Sequence, residues 1–215
     1  MKRRGGCQSP NGWGFVRSIL LLAQLVLPAR AGTPYRVLAF GDSHTTVEAG
    51  MTSALSNALN YPVEYARVGV KGAHTKDLLR GFTQGRPPYA QSIAWAEEWR
   101  PNLVLIAFGT NDAVDHVGAQ YELNFVDLLT QLQRAFPSAQ IVALGPPAGD
   151  PAKMPSLNLV RAMQAQAAGE VHVAWIDRAA IASCQFQADG VHLTANSYRA
   201  LAEQVAPRLV AVLGK

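Results

Sequence analysis

The sequence predicts an α/β fold: one domain built on a central parallel five-stranded sheet with helices on both faces. Two observations carry this. Apolar runs with β-branched and aromatic content alternate with segments of helical period throughout the chain after Thr33. The best of these runs is apolar without interruption, as a strand buried on both faces requires.

Taken in order, Tyr35 to Phe40 (YRVLAF) is a buried strand, and a helix follows from about Thr46 to Leu59. Val63 to Val68 is a second, weaker strand. Tyr89 to Trp99 has helical spacing with Ile93, Ala96 and Trp99 on the inner face, and Pro101 marks its end. Leu103 to Phe108 (LVLIAF) is the central strand. Tyr121 to Phe136 is an amphipathic helix in which Leu128, Leu129, Leu132 and Phe136 recur at helical intervals. Ile141 to Leu144 is a short strand, Leu157 to Ala168 a helix and Val171 to Ile176 the last strand. Thr194 is a suitable N-cap for a closing helix toward Leu213, and Pro207 inside it predicts a kink or a break. Gly85 to Tyr89 and Pro146 to Pro155 are Pro-rich loops, either shaping a pocket rim or serving as stiff connectors.

The chain has 215 residues, 49% of them hydrophobic, with 19 Lys+Arg against 15 Asp+Glu. That composition is globular and excludes a long disordered chain or a disulfide scaffold. The formal charge of +4 invites a nucleic-acid or anionic-membrane partner until the charges are located. Lys2, Arg3, Arg4, Arg17 and Arg30 precede Gly32, and no acidic residue does. The apolar run Ser18 to Leu27 and then Ala29-Arg30-Ala31 complete the order of a secretory signal peptide, residues 1–31, with cleavage expected after Ala31. The run falls short of the ~20 residues of a membrane span, so a retained anchor is the weaker alternative. Removing those five basic residues leaves 14 against 15 acidic, a formal charge of −1 on residues 32–215. The basic character therefore belongs to export, to the periplasm or the exterior, and no basic stripe with interleaved aromatics is left for nucleic acid. Cys184 is the one cysteine after cleavage, so no intramolecular disulfide forms; it reads as a small buried residue.

In open parallel sheets, ligands bind beyond the carboxyl ends of the strands. Gly41-Asp42-Ser43-His44 closes the first strand and delivers Ser43 near a helix start, although Asp42 and Ser43 also suit a plain helix cap. Gly109-Thr110-Asn111-Asp112 closes the central strand. Asn111 there either offers amide donors to an oxyanion or makes an Asx turn. Asp189-Gly190-Val191-His192 precedes the final helix, where a turn brings the carboxylate to the imidazole. His44 either contacts substrate or points away from the pocket. His74, His116 and His172 lack metal-ligand spacing and read as surface or structural, so no metal is expected.

Gly41-Asp42-Ser43, Val68-Gly69-Val70-Lys71-Gly72, Gly109-Thr110-Asn111-Asp112 and Asp189-Gly190-Val191-His192-Leu193-Thr194 resemble, in order, the sequence blocks of the SGNH/GDSL hydrolase family. The resemblance covers nearly all of residues 32–215. It implies a flavodoxin-like three-layer α/β/α sandwich and hydrolysis of carboxylic esters or thioesters without metal or cofactor. It further implies Ser43 as nucleophile, His192 as general base and then acid, and Asp189 as its orienting carboxylate. The oxyanion hole would comprise the Ser43 and Gly72 backbone N–H groups and the Asn111 side chain, with Gly69 as the fallback for Gly72. His44 stands where a Leu often follows the serine, and the second block lacks the usual Asn near its start. The substrate is then a small-molecule, glycan or lipid ester, with short acyl or O-acetyl groups favoured because no long apolar lid segment is visible. A lipid acyl hydrolase and a non-catalytic glycan-binding protein on the same fold are the alternatives. Nothing in the sequence specifies an oligomeric state.

Overall fold

Five parallel strands, buried where they meet, set the frame of the computed structural model, which describes residues 33–115, 117–179 and 184–214. The predicted signal peptide lies outside the described residues. The strands are β1 (Tyr35–Gly41), β2 (Val63–Gly69), β3 (Leu103–Ala107), β4 (Gln140–Leu144) and β5 (Ala174–Ile176), in the order β2-β1-β3-β4-β5. Gly41 pairs with Gly69 on one side and Ala107 on the other, so β1, β2 and β3 end level with one another. This is the flavodoxin-like order, and the chain reverses its direction of travel across the sheet between β1 and β3. That crevice is where the fold places a ligand.

The period of two along each strand divides the interior into two layers. Leu38, Phe40, Val104 and Ile106 face one apolar cluster, and Val37, Ala39, Leu103, Leu105 and Ala107 face the other. The first is covered by α3 (Thr75–Gln84), α4 (Tyr89–Trp99), α6 (Gln120–Ala135) and α7 (Leu157–Glu170). The second is covered by α2 (Met51–Leu59) and α8 (Ala195–Val212). The result is the three-layer α/β/α sandwich. The predicted inner face of α4 is buried at Ile93 and Ala96 and half-buried at Trp99.

Three local expectations are corrected. The single helix from Thr46 to Leu59 is two: α1 (Ser43–Val47) ends at Glu48, and α2 starts after Gly50, where φ is +86°. β5 lacks the first three residues expected of it, because Val171 caps α7 and His172 turns at φ +56°. Of the kink or break expected at Pro207, the break does not occur: α8 runs through it to Val212. A short helix between β3 and α6, α5 (Thr110–Val114), was not expected from the sequence.

Candidate active site

The crevice is lined by the residues that leave β1. The Cβ that any other residue would add at Gly41 would lie 1.9 Å from Thr45 Oγ1 and 2.7 Å from the Ala107 carbonyl oxygen. Only glycine allows the chain to turn so tightly against β3. The Tyr89 hydroxyl, fully buried, donates to the Gly41 carbonyl at 2.9 Å and fixes the strand end. Asp42 is indeed the N-cap of α1, its Oδ1 accepting from the His44 backbone N–H at 2.9 Å. Ser43 is the first helical residue, 8% exposed, so Asp42 alone makes the cap and Ser43 stands at the helix start.

The second part of the site comes from the segment before α8. Gln187 N–H donates to His192 O at 2.7 Å, Thr194 N–H to Gln185 O at 2.9 Å, and Phe186 bridges Leu193 antiparallel. Thr194 caps α8 as expected, accepting from the Ser197 N–H. The Asp189-Gly190 turn folds back: Asp189 Oδ1 accepts from the Val191 and His192 N–H groups at 2.9 Å each, and Oδ2 lies 2.7 Å from His192 Nδ1. The bond to the His192 ring, with the two backbone amides, holds the Asp189 carboxyl down at about 2. The other ring nitrogen, Nε2, lies 2.8 Å from Ser43 Oγ. Ser43, His192 and Asp189, separated by 149 residues of chain, thus form one hydrogen-bonded row. The loop after β4 reaches the Asp189 turn through Asp150 N–H, which donates to Gly190 O at 3.1 Å, and reaches α5 through Ser156 N–H, which donates to Ala113 O at 3.3 Å. Pro146 to Pro155 is therefore a support for the Asp189 turn.

The expected oxyanion donors come from α5, after β3, and from the segment after β2. Asn111 is in α5, and one of its Nδ2 hydrogens goes to Ala73 O at 2.9 Å; among the described residues no partner is seen for the other. Gly72 turns at φ +72° with open space where a Cβ would stand. Gly69 is enclosed: a Cβ there would lie 2.6 Å from the Thr46 backbone nitrogen. The open glycine is the one suited to meet a substrate.

A buried polar network that the sequence does not announce joins these two segments. Asp112 Oδ2 accepts from Thr75 N–H at 3.2 Å and Thr75 Oγ1 at 3.1 Å, with the Tyr121 hydroxyl 3.4 Å from the same Oγ1. Gln164 Nε2 donates to Tyr121 Oη at 2.8 Å and to Phe108 O at 3.0 Å. Burial raises Asp112 above the usual carboxylate range.

Behind Ser43 lies a second cluster. His44 is buried, neither at the substrate face nor out in solvent, with its ring 5.2 Å from that of His192 and Nδ1 2.8 Å from the Tyr198 hydroxyl. Burial, Arg178 and His192 together lower it to about 3. Burial raises Asp42 to about 6, against the pull of the His44 amide and Arg178. Arg178 is itself buried and donates from Nε to Gly145 O at 2.6 Å. No sequence signal marks Arg178 or Tyr198, because their roles depend on contacts from distant chain. His74 is half-buried and bonds Asp115 at 2.7 Å; His172 is exposed; His116 lies outside the described residues. Cys184 is half-buried beside the second apolar cluster, and burial pushes its thiol up.

Comparison with known proteins agrees with the fold and gives the family. The model of the GDSL-like lipase/acylhydrolase family matches residues 39–200. A carbohydrate acetylesterase from Sinorhizobium meliloti is similar in structure, with TM-score 0.64 and 18% identity over 82% of this chain and 99% of that one. The native aryl esterase of M. smegmatis gives 0.63 and 20% over 82% and 98%. A peptidoglycan O-acetylesterase gives 0.60 and 22% over 70% of this chain and 47% of that one. No curated protein sequence matches significantly.

Proposed function

The chain belongs to the GDSL-like lipase/acylhydrolase family, and from that premise we propose that it is an exported serine esterase working through an acyl-enzyme on Ser43. The observation that carries this is the row Ser43 Oγ, His192 Nε2, His192 Nδ1, Asp189 Oδ2, with contacts of 2.8 and 2.7 Å. Both distances are within hydrogen-bond reach for direct proton transfer.

His192 Nε2 takes the Ser43 proton while Oγ bonds to the ester carbonyl carbon. The carbonyl electron pair moves onto oxygen, where the Ser43 and Gly72 N–H groups and the second Asn111 amide hydrogen would receive it. The oxyanion collapses, the C–O bond to the alcohol breaks, and His192 gives its proton to the departing oxygen. Water then loses a proton to His192 and attacks the acyl carbon, releasing the acid and restoring Ser43. Asp189, ionised throughout, holds the ring in the tautomer with its proton on Nδ1.

Short acyl groups, O-acetyl groups on glycans among them, are the proposed substrates. The likeness to a carbohydrate acetylesterase and a peptidoglycan O-acetylesterase supports that choice. Export is supported by the order of charge, apolar run and Ala29-Arg30-Ala31 in residues 1–31. Among the described residues no helix is long and apolar enough to cross a membrane.

A fluorophosphonate probe tests the nucleophile: wild-type protein is labelled and Ser43→Ala is not. An ester panel of increasing acyl length tests the substrate. Rates falling steeply beyond short chains support the acetyl-sized reading, and rates that rise with length replace it with a lipid acyl hydrolase. A folded wild type that neither labels nor turns over leaves a glycan-binding role. Mass spectrometry of secreted protein beginning at Gly32 tests export.

A further inference from the structure

Resting on the assignment of His192 as the base, we infer that His44 and Tyr198 are a positioning pair that holds the His192 ring in line with Ser43. His192 needs such a support. Its side chain is 29% exposed and its partner carboxylate 46% exposed. Its bonds to Asp189 and Ser43 lie in the ring plane and do not by themselves stop the ring from tilting, and among the described residues no side chain is seen stacked on its other face.

His44 supplies the wall. Its ring lies 5.2 Å from the His192 ring at an interplanar angle of 28°, a stacked arrangement. It is also the residue directly after Ser43, in the same turn of α1, with its backbone N–H bonded to Asp42. The wall and the nucleophile are therefore parts of one rigid turn, and His192 cannot shift against one without shifting against the other. The His44 ring is held in turn by Tyr198 of α8, 2.8 Å from Nδ1 and edge-on at 65°. The Leu193 backbone amide, next to His192, acts as a hydrogen-bond donor on the same Tyr198 oxygen. Among the described residues Tyr198 is the ring's only hydrogen-bond partner, since Nε2 has none.

The chemistry of the wall matters as well as its shape. His192 becomes a cation each time it takes the Ser43 proton. A second cation stacked on it would oppose that step, whereas a neutral ring presents a polarizable face to the charge. Burial, Arg178 and His192 all disfavour protonation of His44, with Asp189 alone opposing them. A mere filler would be cheaper as an aliphatic side chain, because a buried imidazole needs a polar partner.

Three variants test the pair: Tyr198→Phe, which removes one oxygen, His44→Leu, which removes the ring, and the double variant. Small displacements of reacting groups cost up to ~10²-fold in rate. Tyr198→Phe is therefore expected to lower kcat roughly 3- to 10-fold and His44→Leu roughly 10- to 100-fold, with KM unchanged. The double variant is expected to be no slower than His44→Leu, because both act through one ring. Independently of any ester, the proton shared by His192 Nδ1 and Asp189 is expected as a sharp downfield NMR signal in the wild type. It should broaden in Tyr198→Phe and more so in His44→Leu. A rise in KM at constant kcat, losses that multiply in the double variant, or an unchanged Nδ1 proton in both single variants would each overturn the inference. Loss of the wild type's Ser43-dependent turnover with the NMR pattern intact would instead count against the esterase reading alone.

Discussion

His44 and His192 stack ring on ring at 5.2 Å, yet one of them is sealed from water and the other is open to it. The buried ring titrates at about 3 in the folded protein, lowered by burial first and by Arg178 and His192 after it. In the unfolded chain it takes a proton near 6.5. The unfolded state therefore binds the extra proton between those values, and stability from this residue is complete above pH 6.5 and lost as pH falls toward 3. At about 1.4 kcal/mol per pKa unit, the full loss is on the order of 5 kcal/mol. In His44→Leu, denaturant midpoints measured from pH 7 to pH 4 are expected to fall less steeply than in the wild type. Parallel curves would mean that His44 is protonated in the folded protein as readily as in the unfolded one.

Asp42, two residues earlier, has the opposite sign. Burial raises its folded value to about 6, above the unfolded carboxylate, so the folded state gains protons more readily and its stability improves as pH drops from about 6 to about 4. Above pH 6 the ionised, buried carboxylate costs stability despite Arg178. Asn keeps the capping acceptor without the charge. Asp42→Asn is expected to be more stable than the wild type at pH 8, by on the order of 1–3 kcal/mol, and equal to it near pH 4. A variant less stable than the wild type at pH 8 would show that the Arg178 attraction outweighs desolvation.

The sheet was legible where strands are buried on both sides. Leu103 to Phe108 is fully apolar and marks β3, and the strand-end segments containing Ser43, Asn111 and His192 could be ranked because parallel sheets bind ligands at those ends. β2 was the weakest strand to read because it is an edge strand, half-buried through most of its length. The break in the helix after Ser43 was missed because Gly50 is tolerated in a helical pattern until its positive φ is known. His44 could not be placed from the sequence at all. Its surroundings come from Tyr198, 154 residues away, and from Arg178, and neither position carries a spacing rule. The Asp112, Thr75, Tyr121 and Gln164 network was invisible for the same reason.

Gly69 and Gly72 separate packing from ligand contact. A methyl group at Gly69 meets backbone at 2.6 Å and Asp42 O at 3.0 Å, in the turn that carries Ser43. Gly69→Ala is expected to cost about 1–3 kcal/mol of stability, read as a lower denaturation midpoint. At Gly72 the methyl meets nothing within 4 Å, and the cost is only that of φ +72°, about 1 kcal/mol. Gly72→Ala keeps the backbone N–H, so it is expected to fold and to retain labelling of Ser43. Reversal of this order in melting experiments would move the oxyanion assignment to Gly69.

Asn111 is the donor whose removal bears most directly on the chemistry. One amide hydrogen is committed to Ala73 O at 2.9 Å, which fixes the side chain's rotation and ties α5 to the Gly72 segment. The second hydrogen is the one proposed to meet the oxyanion. A donor aimed where charge develops acts on the transition state more than on the bound ester, so its loss belongs in kcat. Asn111→Ala is expected to lower kcat roughly 10²- to 10³-fold on an activated ester, with KM little changed. Because the same change frees Ala73 O, the midpoint of unfolding is measured alongside, with an expected loss of about 1 kcal/mol. A wild-type kcat in the folded variant would show that Asn111 serves only to hold Ala73, and the oxyanion would then depend on the backbone donors alone.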